Sequence, residues 1–146
     1  MKRINCMLLA FLLCFVASAA VAAVPQSTDR DHPTPVRSNE IIGDLDNSGD
    51  ESFYSFAAGA GELTLTVDVK SSDGTAVLNF ELLDRNADKT IICCEFAQAD
   101  SGGQSGRDIK SVKLAKGQTV VLHLTIGKTG RGTYRVRFSG SAVPKG

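Results

Sequence analysis

Past its N-terminal apolar run, the sequence has few groups suited to chemistry. It has two histidines, His32 and His123, and two cysteines, adjacent at Cys93-Cys94. After Asp108 it has no acid, and past residue 23 it has no long apolar stretch. Each shortage excludes something. Nucleophilic hydrolysis by serine needs a histidine base oriented by a carboxylate. His32 sits in a proline-containing leader and His123 falls on the outward side of a predicted strand. Asp100-Ser101-Gly102-Gly103, which resembles the nucleophile loop of trypsin-like proteases, therefore reads as a loop. Gly103-Gln104-Ser105-Gly106 lacks the nucleophile-elbow spacing. Two adjacent thiols with no other soft ligand nearby make a poor zinc site. No acid-base pair stands out, so the chain reads as non-catalytic. A hydrolase is the weakest alternative and would rest on Ser101 or His123. No segment past the N-terminal run is long and apolar enough to span a bilayer.

What is present begins with an export signal. Lys2 and Arg3 precede an apolar run from Met7 to Ala17, and Ala20-Val21-Ala22 offers a small-x-small cleavage site. Residues 1–23 read as a signal peptide, since the run is too short for a span and ends in a processing site. Cys14 lies inside the apolar core and follows Leu13, which argues against lipidation. The mature chain would hold roughly 120 residues, enough for one core. It would work in an oxidising periplasmic or extracellular setting.

Residues 24–38 contain three of the four prolines and few large apolar residues, and read as a flexible leader. From Glu40 onward, short alternating runs are split by Gly, Asn, Asp and Ser. In Glu62–Val69 the side chains Leu63, Leu65, Val67 and Val69 face one way. Ala76–Leu83, Thr119–Ile126 and Thr133–Ser139 alternate likewise. Glu40–Gly43, Ser52–Ala57, Lys89–Phe96 and Asp108–Leu114 are weaker strands. About eight antiparallel strands at this spacing predict an all-β protein, a β-sandwich or jelly-roll over residues 39–140, with 141–146 as a tail.

Charge is divided along the chain. Residues 24–108 hold all sixteen acids with six bases, and residues 109–146 hold eight bases. Acidic and basic strands lying side by side would neutralise each other. The other reading is a basic face for an anionic partner, built from Arg135 and Arg137 on one side of a strand with Lys128 and Arg131 in the preceding loop. Tyr134 and Phe138 point the other way, so nothing interleaves aromatics with these bases for nucleic-acid stacking.

Several motifs, taken in order, look familiar. An acidic turn (Asp44 to Asp50) precedes Tyr54 and Phe56, Ala58-Gly59-Ala60-Gly61 forms a turn, and Gly132 and Tyr134 give a final Gly-x-Tyr. Over about residues 39–139 the chain resembles the bacterial pre-peptidase C-terminal domains, small β-sandwiches appended to secreted peptidases and also found alone. It is similar, more faintly, to periplasmic inhibitors of goose-type lysozyme, which share the acidic turn and a Lys-Gly turn, here Lys116-Gly117. These resemblances imply a binding or inhibitory module. The partner would be an envelope polymer, a glycan or another exported protein. An inhibitor would act through a protruding loop such as Asp100–Arg107.

Three small clusters carry the remaining candidates. Asp44, Asp46 and Asp50 match the first half of a helical calcium loop, but the twelfth position is Ser55 rather than Glu, and a strand follows. A non-helical Ca2+ site and a plain acidic turn both stay open. Asp84, Asn86 and Asp88 repeat the alternate-acid spacing between two strands. On a regular strand Cys94 shares a face with Ile92 and Phe96, and Cys93 with Ile91 and Glu95. A buried free pair, a vicinal disulfide and an intermolecular link compete there.

Overall fold

A computed structural model of the chain describes residues 26–86, 88–100, 105–128, 131–141 and 143, without the side chain of Lys128. The expected signal peptide (1–23) lies outside them, as does most of the 141–146 tail.

Nine strands form two sheets. They are β1 (Thr34–Pro35), β2 (Glu40–Leu45), β3 (Glu51–Ala58), β4 (Gly61–Asp73), β5 (Ala76–Asp84), β6 (Thr90–Ala99), β7 (Ser105–Leu114), β8 (Gln118–Lys128) and β9 (Arg131–Ser139). One sheet has the order β1-β3-β8-β5-β6 and the other β2-β9-β4-β7. All pairings are antiparallel except β1 with β3. From β2 onward the hairpin partners are nested: β2 with β9, β3 with β8, β4 with β7, β5 with β6. That is the jelly-roll wrap. It lays the acid-rich first half of the chain against the basic second half.

Alternation builds the core. Leu63, Leu65, Val67 and Val69 of β4 are fully buried, facing Leu78, Phe80 and Leu82 of β5 and Val120, Leu122 and Leu124 of β8. Each such side chain is worth about 1.5–3 kcal/mol of transfer free energy on burial. The aromatic-x-aromatic pair points inward, as Tyr54 and Phe56 are buried. The Tyr54 and Tyr134 hydroxyls meet at 3.2 Å, and the Gln26 amide donates to the Tyr134 hydroxyl at 3.2 Å. Burial pushes both phenols above their usual range. The Tyr134 ring lies over Gly43 of the paired strand, where any Cβ would collide with it.

Two expectations change. The leader was expected to be flexible, yet Thr34–Pro35 pairs in parallel with β3 and the Val36 amide donates to the Ser55 carbonyl at 2.8 Å. Val36 is buried in the main core. Ser27 bridges Phe53, which packs with Leu83 and Val121 in a second small apolar cluster. The physical reason is that β3 would otherwise leave an unpaired edge, and Val36 offers the apolar side chain to close it.

The second change is in β6. Phe80 pairs with Glu95 and Leu82 with Ile92, so Cys93 and Cys94 together oppose Glu81. This is a β-bulge, and the extra residue reverses the alternation beyond it. Ile92 is buried, but Cys93, Cys94 and Phe96 are exposed, while Ala97 and Ala99 take the inward positions. The cysteines are joined in a vicinal disulfide with Cα atoms 3.7 Å apart, and Cys94 has φ of 59°. Of the three states left open by the sequence, the structure holds the vicinal disulfide, on an exposed bulge rather than as a buried free pair.

Candidate functional site

The outward positions of the four-stranded sheet carry three ion pairs, Asp68 with Arg107, Asp68 with Arg137 and Glu40 with Arg135. On β9, Tyr134, Val136 and Phe138 enter the core, so Arg135 and Arg137 stand outward. Asp68 and Lys70 stand beside them on β4, and Arg107 and Ile109 on β7. Nested pairing makes these strands neighbours, although their residues lie far apart in sequence.

Three open clefts join across this face. The central one, about 420 Å3, is lined by Lys70, Arg107, Arg135 and Arg137 with Asp68 and Thr133. A second, about 540 Å3, shares Lys70 and Thr133 and extends to Arg131, Ser71, Ser72 and Asp46. A third, about 590 Å3, shares Arg107 and Arg137 and extends to Glu40, Thr66 and Ile109. Together they form a groove with five cationic side chains and a lining of hydroxyls.

Three of the five cations are partly neutralised. Asp68 accepts from Arg107 Nε at 2.5 Å and from Arg137 Nη2 at 2.6 Å. Arg135 Nε lies 3.3 Å from Glu40 Oε1. Burial opposes ionisation of Asp68, but the two guanidinium hydrogen bonds outweigh it and hold its carboxyl below the usual range. Lys70 and Arg131 make no ion pair among the described residues. Of the four expected binding cations, Arg131, Arg135 and Arg137 share this groove. Lys128 ends β8 in the opposite sheet, and its side chain is outside the description.

Lys70, Arg107, Asp68 and Glu40 were missed as members of the surface. Lys70 falls one residue past the expected end of its strand, and Arg107 one residue before the expected start of its own. Alternation extended by one position at each end would have placed both.

The acidic turn lies nearby. Asp44, Asp46 and Asp50 line one cleft of about 260 Å3 with Asn47 and Gln26. The Asn47 amide donates to the Asp50 carboxylate at 3.1 Å, and the Gly49 amide donates to the Ile126 carbonyl at 2.7 Å. Gly49 has φ of 90°, a turn conformation that glycine reaches without steric cost. Among the described residues no three His, Cys, Asp or Glu side chains converge as a metal-holding group. Asp84 has a local duty, since its Oδ1 accepts the Asp88 and Lys89 amides at 3.0 and 3.2 Å. Asn86 and Asp88 are exposed residues of that same β5–β6 connection. Of the loop Asp100–Arg107, residues 101–104 lie outside the description.

No family model matches the chain, and no curated protein matches it significantly. Several solved structures are similar to it at low identity. The pre-peptidase C-terminal domain of collagenase from Bacillus anthracis is similar with TM-score 0.47 and 18% identity, over 77% of this chain and 100% of that domain. A CBM4 structure is similar with TM-score 0.46 and 13% identity, over 73% of each chain. PliG from Aeromonas hydrophila, a periplasmic inhibitor of g-type lysozyme, is similar with TM-score 0.42 and 16% identity, over 72% of this chain and 94% of that one. Among the described residues, no helix is long and apolar enough to cross a membrane.

Proposed function

We propose that the chain is an exported, non-catalytic binding module whose groove on the β2-β9-β4-β7 sheet holds an anionic envelope polymer. One observation carries this reading: the joined clefts hold Lys70, Arg107, Arg131, Arg135 and Arg137 on one open face, against three acids, Asp68, Glu40 and Asp46. A surplus of positive charge along an extended groove attracts a polyanion at long range, and hydroxyls at its walls can bond the ligand's oxygens. The arginines suit carboxylate or phosphate by their fork of donors. Their pairing with Asp68 and Glu40 fixes their position but leaves further N–H groups free to donate. The setting is the periplasm or the cell exterior, and the partner is reached without a membrane span.

The test is retention of the purified chain in native gels cast with polygalacturonate, with poly(glycerol phosphate) or with neutral dextran. Retardation by a polyanion but not by dextran, weakening from 50 to 300 mM salt on the order expected for screened surface charge, supports the groove. A Lys70→Glu/Arg135→Glu double variant should migrate freely while staying folded, with a melting temperature lowered only by the loss of the exposed Arg135–Glu40 pair. Free migration of the parent in both polyanions at low salt would overturn the reading.

A further inference from the structure

The opposite sheet carries a second, chemically different surface. The bulge at Cys93-Cys94 turns Phe96 outward, leaving it 56% exposed on the outer face of β6. A regular strand would have placed that ring on the Ile92 side. Phe96 pairs directly with Asn79 of β5, so the two side chains share this face. Next to them is a cleft of about 310 Å3 lined by Asn79, Glu81, Cys94, His123 and Thr125. That volume is at the lower end of the range for small-molecule sites, about 300–1,000 Å3.

The polar groups of the cleft are held in place. The His123 ring stacks on Phe53 with centroids 4.4 Å apart and planes at 4°. Its Nε2 lies 3.2 Å from Thr125 Oγ1 and 3.5 Å from Glu51 Oε2, and its Nδ1 lies 3.9 Å from Glu81 Oε2. The two carboxylates approach opposite ring nitrogens, so they cannot share one metal ion with the imidazole. The described lining includes no Lys or Arg and does include Glu81, with Glu51 close by. This field disfavours the polyanion proposed for the other sheet.

We infer that this cleft and the Phe96 ring form a second binding site, for a neutral sugar ring. A pyranose has an apolar C–H face and a rim of hydroxyls. Phe96 and the exposed disulfide offer an apolar, polarisable platform. Glu81 accepts hydrogen bonds, the Asn79 amide both donates and accepts, and His123 contributes a ring nitrogen at the rim. A wholly apolar partner would cover the Glu81 carboxylate and the Asn79 amide without bonding to them. A neutral glycan satisfies both halves of the surface.

The test applies the purified chain to an array of neutral oligosaccharides comprising α- and β-glucans, mannans, galactans and chito-oligosaccharides. The best binder is then titrated calorimetrically. At least one member should bind with an affinity little changed by salt. Phe96→Ala should weaken it about tenfold while leaving the melting temperature unchanged, since the ring is exposed. Glu81→Gln should weaken it as well. The Lys70→Glu/Arg135→Glu variant should bind it normally, which separates this site from the anionic groove. No binding anywhere on the array, or binding indifferent to Phe96→Ala, would overturn the inference.

Discussion

Replacing Asp68 by Asn should lower stability and raise affinity for a polyanion at the same time. Asp68 has 22% side-chain exposure and accepts from two guanidinium groups, while Arg107 and Arg137 are 58% and 43% exposed. Fully buried, each charge-assisted bond would be worth about 1.5–3 kcal/mol. Exposed pairs are worth about 0.2–1 kcal/mol because water screens them. With partners this exposed the lower range applies, so the two together stabilise by about 1 kcal/mol, or roughly 3–6 °C in melting temperature at this size. The pH dependence has a definite sign. The two guanidinium groups hold the folded carboxyl below its usual range, so its contribution is fully present above the unfolded pKa of about 3.9 and is lost as pH falls through the folded value. The stability gap between parent and Asp68→Asn should hold at pH 7 and narrow as pH falls through the lowered folded value. Meanwhile one negative charge leaves the groove, which at low salt should strengthen polygalacturonate binding by up to about fivefold. Urea titrations from pH 7 into the acid range, with calorimetry at pH 7, measure all three effects. A gap that does not narrow as pH is lowered would mean that packing rather than charge sets the cost. Weaker polymer binding would refute the groove as a polyanion site.

Gly43→Ala should destabilise by about 1–3 kcal/mol by pressing a methyl group into the Tyr134 ring, read by urea unfolding. Val36→Ala should cost about 1.5–2.5 kcal/mol, and a chain lacking residues 24–38 should cost more, because both remove cover from the core and the β3 edge. Equal stability of the truncated and parent chains would show that β1 adds nothing. Millimolar calcium should move the melting temperature by less than about 1 °C, since the Asp50 carboxylate is engaged by Asn47 and no acid triad converges among the described residues. A larger rise, abolished by Asp44→Ala/Asp50→Ala, would make the turn a metal loop.

The sequence alone determined strands β2 to β9. Side-chain period along a strand is two, so inward sets such as Leu63, Leu65, Val67 and Val69 declare themselves without a partner, and Gly, Asn and Asp mark the turns between them. It also determined the charge division along the chain and the outward place of Arg135 and Arg137. Tertiary structure decided what those residues meet. That Asp68 would hold Arg107 and Arg137 depends on β4 lying between β7 and β9, a pairing of segments tens of residues apart that no local pattern encodes. The leader's role was hidden for the same reason, since Thr34–Pro35 and Val36 gain order from the β3 edge and the core, not from their own propensity. The face of Phe96 was the sharpest case. Alternation carries across a strand only while the pairing stays regular, and one extra residue opposite Glu81 moved every later side chain of β6 to the other side of the sheet.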